Sequence, residues 1–177
     1  MKYELNYYEI MLRQNSKTAE EISKIRWNFI KRLNPERVLD YGCGVGWFRA
    51  FRPKEVNVET YDIGEFPQTG ISGNDYDVLC LWDVLEHLPD FSEIEDLLKN
   101  CKYVALSVPI VPNKKNFKIE KWKHFKPGEH LHYFTEETLE ALLNNYGFEL
   151  YKKGNIESPV REDIKDFIFK NTKICER

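Results

Sequence analysis

Glycine recurs at every second position directly after a short apolar run that ends in an acid. The acid is Asp40, and the glycines that follow are Gly42, Gly44 and Gly46. Glycine tolerates positive φ and lets a ligand approach the backbone, so this spacing predicts a tight loop that carries a ligand. The third glycine comes one residue earlier than in the dinucleotide fingerprint G-x-G-x-x-G, and a carboxylate at Asp40 would repel a pyrophosphate. The pattern therefore favours a cationic ligand.

An acid followed by Gly-x-Gly-x-Gly resembles the first motif of the class I S-adenosylmethionine (SAM)-dependent methyltransferases. In that family the loop wraps the methionine part of SAM, which carries an ammonium and a sulfonium and no phosphate. The resemblance implies SAM as the cofactor and S-adenosylhomocysteine (SAH) as the product. It assigns cofactor contacts to Asp40, Tyr41, Gly42, Cys43, Gly44 and Gly46.

A second acid, Asp62, follows the next predicted strand, about 20 residues after Asp40. An acid at this place can accept hydrogen bonds from both hydroxyls of a ribose, as it does in dinucleotide sites. The alternative is a solvated aspartate that opens a turn. The glycine loop upstream favours the ribose role, and we expect the adjacent Ile63 to contact the cofactor as well.

The stretch 76–88 resembles the fourth-strand signature of the same methyltransferases, in which Asp-Val-Leu-Glu-His follows the strand. The resemblance places Trp82 and Asp83 beside the cofactor, with Glu86 and His87 lower in the active-site cleft. Together with the glycine loop and a third stretch, described next, the matches come in the family's order.

Three histidines are candidate general bases: His87, His130 and His132. The last two belong to the stretch 129–135, which resembles the substrate-side region of small-molecule methyltransferases. A hydroxyl acceptor must lose its proton, and histidine is the usual base near neutral pH. For each histidine a structural role is the alternative, above all for His87. We prefer His130 or His132 as the general base, and the sequence leaves the choice between these two open.

A bound metal ion is a further alternative. Asp83, Glu86 and His87 with the later His130 resemble the Glu-x-x-Glu-His…His arrangement of small-RNA 2′-O-methyltransferases. Carboxylates and imidazoles can hold a divalent ion against a pair of hydroxyls. However, Asp83 is one methylene shorter than the family's glutamate, and relatives without metal share the Glu-His pair. We therefore expect no metal, with these four residues as the alternative set.

Six lysines are interleaved with three aromatic residues in the segment 110–134, after the strand that Pro109 closes. They are Lys114, Lys115, Lys118, Lys121, Lys123 and Lys126, with Phe117, Trp122 and Phe125. Such residues can hold phosphate and stack a ring, although a solvated loop is the alternative. Because the segment precedes the stretch 129–135, we expect it to overhang the acceptor pocket and to favour an anionic small molecule.

Alternating predicted strands and helices indicate an α/β fold: a Rossmann-like, doubly wound, mostly parallel sheet of six to seven strands with helices on both faces. Ligands of such sheets bind beyond the carboxyl ends of the strands, which places Asp40, Asp62 and Asp83 on one rim. Asp62 and Asp77 are too close in sequence for a helix and a strand between them, so the third strand is expected to be short or missing. The adenine end therefore has only weak candidates: Ser72, Asn74 and Asp75.

The composition predicts one domain over residues 1–177, with an N-terminal lid and helix in residues 1–35. The four cysteines are scattered, and no apolar run reaches the length of a membrane span. We expect a cytoplasmic monomer or homodimer without membrane contact. A net charge of −3 argues against a general nucleic-acid binder.

These expectations converge on a SAM-dependent methyltransferase that acts on a small polar acceptor. O-methylation of a sugar, a nucleotide-linked compound or a phosphorylated metabolite is the main hypothesis. One alternative is an RNA or nucleotide methyltransferase, with or without metal assistance. The other is a non-catalytic module that binds SAM or a partner.

Overall fold

The computed structural model describes residues 16–64, 68–73, 75–158 and 160–174. Within these ranges the strands are β1 (Arg37–Tyr41), β2 (Asn57–Tyr61), β3 (Val78–Trp82), β4 (Tyr103–Pro109), β5 (Phe148–Gly154) and β6 (Ile164–Asn171). The α-helices are α1 (Ser16–Ile30), α2 (Trp47–Ala50), α3 (Glu95–Asn100) and α4 (Glu136–Asn145).

All six strands form one sheet in the order β2-β1-β3-β4-β6-β5. The pairs among β2, β1, β3 and β4 are parallel, and β6 runs antiparallel to both of its neighbours. The carboxyl ends of the four parallel strands therefore meet at one edge, where α/β sheets bind ligands. This arrangement confirms the expected mostly parallel, Rossmann-like sheet.

The described residues between β2 and β3 form no strand, in agreement with the expected short or missing third strand. A segment without regular structure runs along β2 instead. The Thr60 amide donates to the Thr69 hydroxyl at 2.8 Å, and the Gly70 amide donates to the Thr60 carbonyl at 3.1 Å. These bonds satisfy backbone groups of β2 that a third strand would otherwise pair.

Alternate residues of the central strands enter two different hydrophobic cores, because successive side chains of a strand point to opposite faces. Val78 and Cys80 of β3 pack in the core that includes Trp27 of α1. Leu79 and Leu81 pack in the other core, with α3 and α4. Both faces of β3 are thus covered, which explains why its sequence is a continuous apolar run.

Helix α1 is fixed to the glycine-loop region by an aromatic pair. The Trp27 ring stacks on Phe48 of α2 with centroids 4.2 Å apart, and the indole N–H donates to the Phe48 carbonyl at 2.8 Å. The described part of the expected N-terminal lid and helix is therefore a packed helix. The remainder of that prediction falls on residues 1–15, which lie outside the described residues.

No helix in the described part of the chain combines the length and the apolar character that crossing a bilayer requires.

Candidate active site

A cleft of about 1270 Å³ opens at the carboxyl ends of the parallel strands. Its walls come from α1, the glycine loop, the turn after β3, the segment 123–131 and the loop between β5 and β6. Most of the residues predicted from the sequence line it. They are Asp40, Tyr41, Gly42, Cys43, Gly44, Asp62, Ile63, Trp82, Asp83, Glu86, His87 and His130.

The glycine loop is held against the end of β2. The Gly42 amide donates to the Tyr61 carbonyl at 2.7 Å, and the Gly44 amide donates to Oδ2 of Asp62 at 2.8 Å. Gly42 has φ +76°, and a Cβ added there would lie 2.4 Å from Cγ2 of Val84. Glycine is therefore required at this position for two reasons: the positive φ, and the close approach of Val84 in the turn after the neighbouring strand β3.

Asp62 anchors the loop and keeps acceptor capacity for a ligand. Its Oδ2 accepts from Gly44, and its Oδ1 accepts from the Gly64 amide at 2.7 Å. An ionised carboxylate offers about four lone-pair sites, so two remain after these bonds. Two free acceptor sites suit the two hydroxyls of a ribose.

Asp40 lies at the floor of the cleft with an unsatisfied acceptor. The residue is buried, and no described residue bonds to its Oδ2. Burial raises the pKa of this carboxyl to about 7, with a smaller rise from Asp62 and an opposing effect of Arg26. A buried acceptor without a partner is satisfied when a ligand N–H group reaches it.

Asp83 is engaged by two arginines. Arg161 donates from Nη1 to Oδ2 and from Nη2 to Oδ1, both at 2.7 Å, and Nη2 of Arg26 donates to Oδ2 at 2.9 Å. Burial raises the pKa of Asp83, but the arginines outweigh it and bring the pKa to about 2. The residue has φ +59°, a strained conformation for an aspartate that these bonds hold in place.

Arg26, Glu157 and Arg161 were not identified from the sequence. Nε of Arg26 donates to Oε1 of the buried Glu157 at 2.6 Å, and Nη1 of Arg161 donates to Oε2 of Glu157 at 2.8 Å. These residues belong to different elements, and no local pattern connects them. The one available signal was Arg26 itself, which is the polar member of the apolar stripe of α1.

Glu86, His87 and His130 meet in the cleft, each with a ligand atom within 4.8 Å of the others. The two imidazole rings are perpendicular, with centroids 4.7 Å apart. Nδ1 of His87 lies 2.9 Å from the Glu129 carbonyl, so Nδ1 carries the proton and Nε2 is the acceptor of the neutral ring. Oε2 of Glu86 is buried and has no partner among the described residues.

The acid and one of the imidazoles in this cluster are shifted toward their neutral forms. Burial, and then the charge of Asp83, raise the pKa of Glu86 to about 8. Burial, and then the charge of His87, lower the pKa of His130 to about 4. Both shifts favour the uncharged form of the group near neutral pH.

Two predicted site residues do not line the cleft. His132 lies 2.8 Å from the Leu88 carbonyl through Nε2, and its ring packs against Phe91 at 4.8 Å. Gly46 precedes α2 with φ +81° and forms the start of that helix. The structure thus separates His132 from the pair formed by His87 and His130.

The lysine-aromatic segment packs its central aromatic residue inside the protein. Trp122 is buried, and its Nε1 donates to Oδ2 of Asp163 at 3.0 Å. Lys123 and Lys126 line the cleft, where each pairs with a glutamate, Glu162 and Glu129 respectively. Stacking of a ligand ring on Trp122 is therefore excluded in this conformation.

The candidates for the adenine end lie away from the ligand rim. The Ser72 hydroxyl donates to Glu59 at 2.7 Å, and Asp75 accepts from Nη1 of Arg37 at 2.6 Å. Arg37 begins β1, so Asp75 lies at the amino end of that strand, opposite the cleft. Ser72 and Asp75 therefore do not line the cleft, and Asn74 lies outside the described residues.

Comparison with curated protein sequences found no match. The model of the methyltransferase domain family matches residues 11–153. The chain belongs to this methyltransferase family. The assignment confirms the family expected from the glycine loop and the two later stretches.

Solved structures of methyltransferases share the fold of this methyltransferase at low identity. One is the magnesium protoporphyrin IX methyltransferase of Synechocystis PCC 6803 with bound SAH, with a TM-score of 0.61, 20% identity, and coverage of 89% of this chain and 84% of that chain. Another is the 1,6-didemethyltoxoflavin-N1-methyltransferase of Burkholderia thailandensis. Its TM-score is 0.62 at 18% identity, and the match covers 95% of this chain and 85% of that chain. A third is a SAM-dependent methyltransferase of Clostridium acetobutylicum ATCC 824. Its TM-score is 0.58 at 12% identity, and the match covers 91% of this chain and 94% of that chain.

Proposed function

We propose that this methyltransferase transfers the methyl group of SAM to an oxygen of a small acceptor that binds beside His87 and His130. The observation that carries the proposal is the placement of the glycine loop, Asp40 and Asp62 on the same cleft as the histidine pair. A cofactor and an acceptor can therefore meet in one cavity, as an in-line transfer requires.

Each part of SAM has a chemically suitable partner on the cofactor side. The orphaned carboxyl of Asp40 suits the ammonium of the methionine part, and a cation there would favour the ionised carboxylate. The free lone pairs of Asp62 suit the ribose hydroxyls. Ile63 is 68% exposed at the mouth and offers an apolar surface for the adenine ring.

On the acceptor side, we assign the role of general base to His87. Its Nδ1–H is held by the Glu129 carbonyl, which leaves Nε2 free to take a proton. The lowered pKa of His130 makes that imidazole a weaker base. In the reaction the acceptor oxygen bonds to the methyl carbon while the carbon–sulfur bond breaks, and the hydroxyl proton passes to the imidazole.

The acceptor side also supports the expected preference for an anionic small molecule. Lys123, Lys126 and Arg161 line this wall of the cleft. The partners of the two lysines are glutamates on the surface, so a ligand anion competes at these lysines only with weak, solvated ion pairs.

Turnover of SAM labelled in its methyl group tests the proposal. A panel of hydroxylated ring compounds, nucleotide sugars and phosphorylated metabolites should contain acceptors that gain the label. His87→Gln should lower kcat by about 100-fold or more with SAH affinity unchanged, since one general base contributes about this factor. His132→Gln is the matched control and should retain activity. Absence of SAM and SAH binding to the wild type would contradict the proposal.

A metal-assisted version is the second candidate, favoured by the cluster of Glu86, His87 and His130. The orphaned Oε2 of Glu86 and the imidazole nitrogens form a donor set that fits a divalent ion. Asp83 is absent from this cluster, because two arginines hold its carboxylate. A divalent ion there would supply positive charge for orienting a pair of hydroxyls.

Metal binding separates the two versions. Calorimetry with Mn²⁺ should show one site in the wild type and none in Glu86→Gln if the second version is right, and EDTA should then abolish turnover. Turnover that survives EDTA supports the metal-free version. An RNA acceptor would appear as binding that weakens steeply with salt.

A further inference from the structure

Arg161 combines a fixed position with access to the cleft. It lies in the loop between β5 and β6, its side chain is 30% exposed, and it lines the acceptor side. We infer that Arg161 binds a carboxylate of the methyl acceptor and that it thereby selects acceptors with an acidic group. The inference rests on the proposed function, because it assumes that the acceptor occupies this half of the cleft.

The hydrogen bonds of Arg161 leave one side of its guanidinium free. Nη1 uses both of its protons, on Oδ2 of Asp83 at 2.7 Å and on Oε2 of Glu157 at 2.8 Å. Nη2 uses one proton, on Oδ1 of Asp83 at 2.7 Å. A guanidinium has five N–H groups, so Nε–H and the second Nη2 proton remain.

These two N–H groups are parallel, because Nε and Nη2 lie along the same edge of the planar guanidinium. No described residue accepts from either of them. Two parallel N–H groups match the two oxygens of a carboxylate, which is the geometry of the strongest arginine–carboxylate pairs. The free side of Arg161 is therefore shaped for a carboxylate rather than for a single oxygen.

Arg161 is also preorganised. Asp83 and the buried Glu157 already fix its rotamer, so a ligand does not have to order this long side chain. Arg26 and Arg161 balance Asp83 and Glu157 in charge, and a ligand carboxylate therefore meets no net negative charge in this network. Despite burial, the charge of Asp83 keeps the pKa of Arg161 raised, so the guanidinium stays charged.

The surroundings of Arg161 indicate the rest of the acceptor. Val160 is 43% exposed and Leu131 is 47% exposed, and both line the cleft. Two exposed apolar side chains in the same cleft as the free side of the guanidinium suit a molecule with an apolar body and an acidic group. A ring carboxylic acid with a hydroxyl group near His87 meets all these requirements.

Matched pairs of ligands test the inference. The probes are a set of aromatic and saturated ring carboxylic acids, each with its neutral carboxamide, titrated by NMR into wild type saturated with SAH. Acids should bind about tenfold or more tighter than their amides, as expected for hydrogen bonds to a charged group. Arg161→Gln should reduce this ratio to below about twofold. Arg161→Lys, which keeps the charge and loses the fork, should give an intermediate ratio.

Lys115→Gln is the matched control, because Lys115 is exposed and does not line the cleft. It should keep the wild-type preference for acids. SAH affinity measured on every variant shows whether the cofactor side and the fold are intact. The inference is wrong if no acid in the set binds better than its amide to the wild type, or if Arg161→Gln keeps the preference. Failure of the wild type to bind SAH would instead contradict the proposed function.

Discussion

Asp83 and Arg161 form two parallel hydrogen bonds of 2.7 Å although 78 residues separate them in the sequence. The pair joins the end of β3 to the loop between β5 and β6, and Arg26 extends the connection to α1. Three walls of the cleft are thus held together at one carboxylate. The sequence placed Asp83 beside the cofactor. In the structure both of its carboxylate oxygens accept hydrogen bonds from arginines, so Asp83 holds the walls of the site in position.

A double-mutant cycle on Asp83→Ala and Arg161→Ala measures this support. The side chains of Arg161 and Asp83 keep 30% and 27% of their surface exposed. We therefore expect a coupling energy of about 2 kcal/mol, below the roughly 3–5 kcal/mol for breaking a fully buried pair. Urea unfolding of the four proteins without ligand gives the value.

The control cycle uses the exposed pair Glu95 and Lys99 on α3, whose atoms lie 2.9 Å apart. Pairs of this kind couple by about 0.3–0.5 kcal/mol. Equal coupling energies for the two pairs would show that the Asp83–Arg161 pair does not hold the walls together.

Asp62 should be required for cofactor binding. Asp62→Ala removes the acceptor for the Gly44 amide and for a ribose, so SAH affinity should fall by at least about tenfold, the cost of losing hydrogen bonds to a charged group. Calorimetry with SAH measures the change. Asp75→Ala is the control: Asp75 pairs with Arg37 at the opposite end of β1, so its loss should leave the affinity within about twofold. Similar losses in both variants would disprove a direct role of Asp62.

Trp122 should stabilise the protein without contacting the acceptor. Trp122→Ala removes a buried ring and leaves Asp163 without its indole donor, so the unfolding free energy should fall by about 3–5 kcal/mol. Lys121→Gln changes an exposed neighbour and should alter stability by less than about 0.5 kcal/mol. Thermal unfolding compares the two. A stable Trp122→Ala protein that binds acceptors poorly would restore the stacking hypothesis.

The sequence was sufficient where function depends on contiguous residues. The glycine loop and the acids at the carboxyl ends of β1 and β2 were predicted correctly in position, because strand ends and glycine spacing are local properties. The missing strand could be inferred because chain length limits what fits between Asp62 and Asp77.

Other features depend on contacts between distant segments and could not be predicted. The network of Arg26, Asp83, Glu157 and Arg161 forms only after α1 and the loop before β6 reach the end of β3. The proposed assignment of the base rests on the hydrogen bonds of His132 to Leu88 and of His87 to Glu129, which also join distant segments. Trp122 illustrates a further limit: an aromatic residue among lysines has the same sequence pattern whether it stacks on a ligand or fills a core.

Asp166 should make stability depend on pH. It is fully buried, its Oδ2 accepts from the Ile156 amide at 2.8 Å, and its Oδ1 has no partner among the described residues. Burial, and then the charge of Glu157, raise the pKa of Asp166 to about 7. The native state therefore keeps a proton that the unfolded chain loses above about pH 4. The unfolding free energy should consequently fall as pH rises from about 4 to about 7, by on the order of 1 kcal/mol per pH unit.

Asp166→Asn removes this titration and keeps a carbonyl oxygen for the Ile156 amide. Its stability relative to the wild type should rise between pH 5 and pH 7.5, as measured by urea unfolding at both values. Asp40 and Glu86 titrate in both proteins, so the difference isolates Asp166. The control is Asp96→Asn, because Asp96 is exposed on α3 and its difference from the wild type should stay constant. Parallel pH profiles for Asp166→Asn and the wild type would show that Asp166 is ionised in the native state throughout this range.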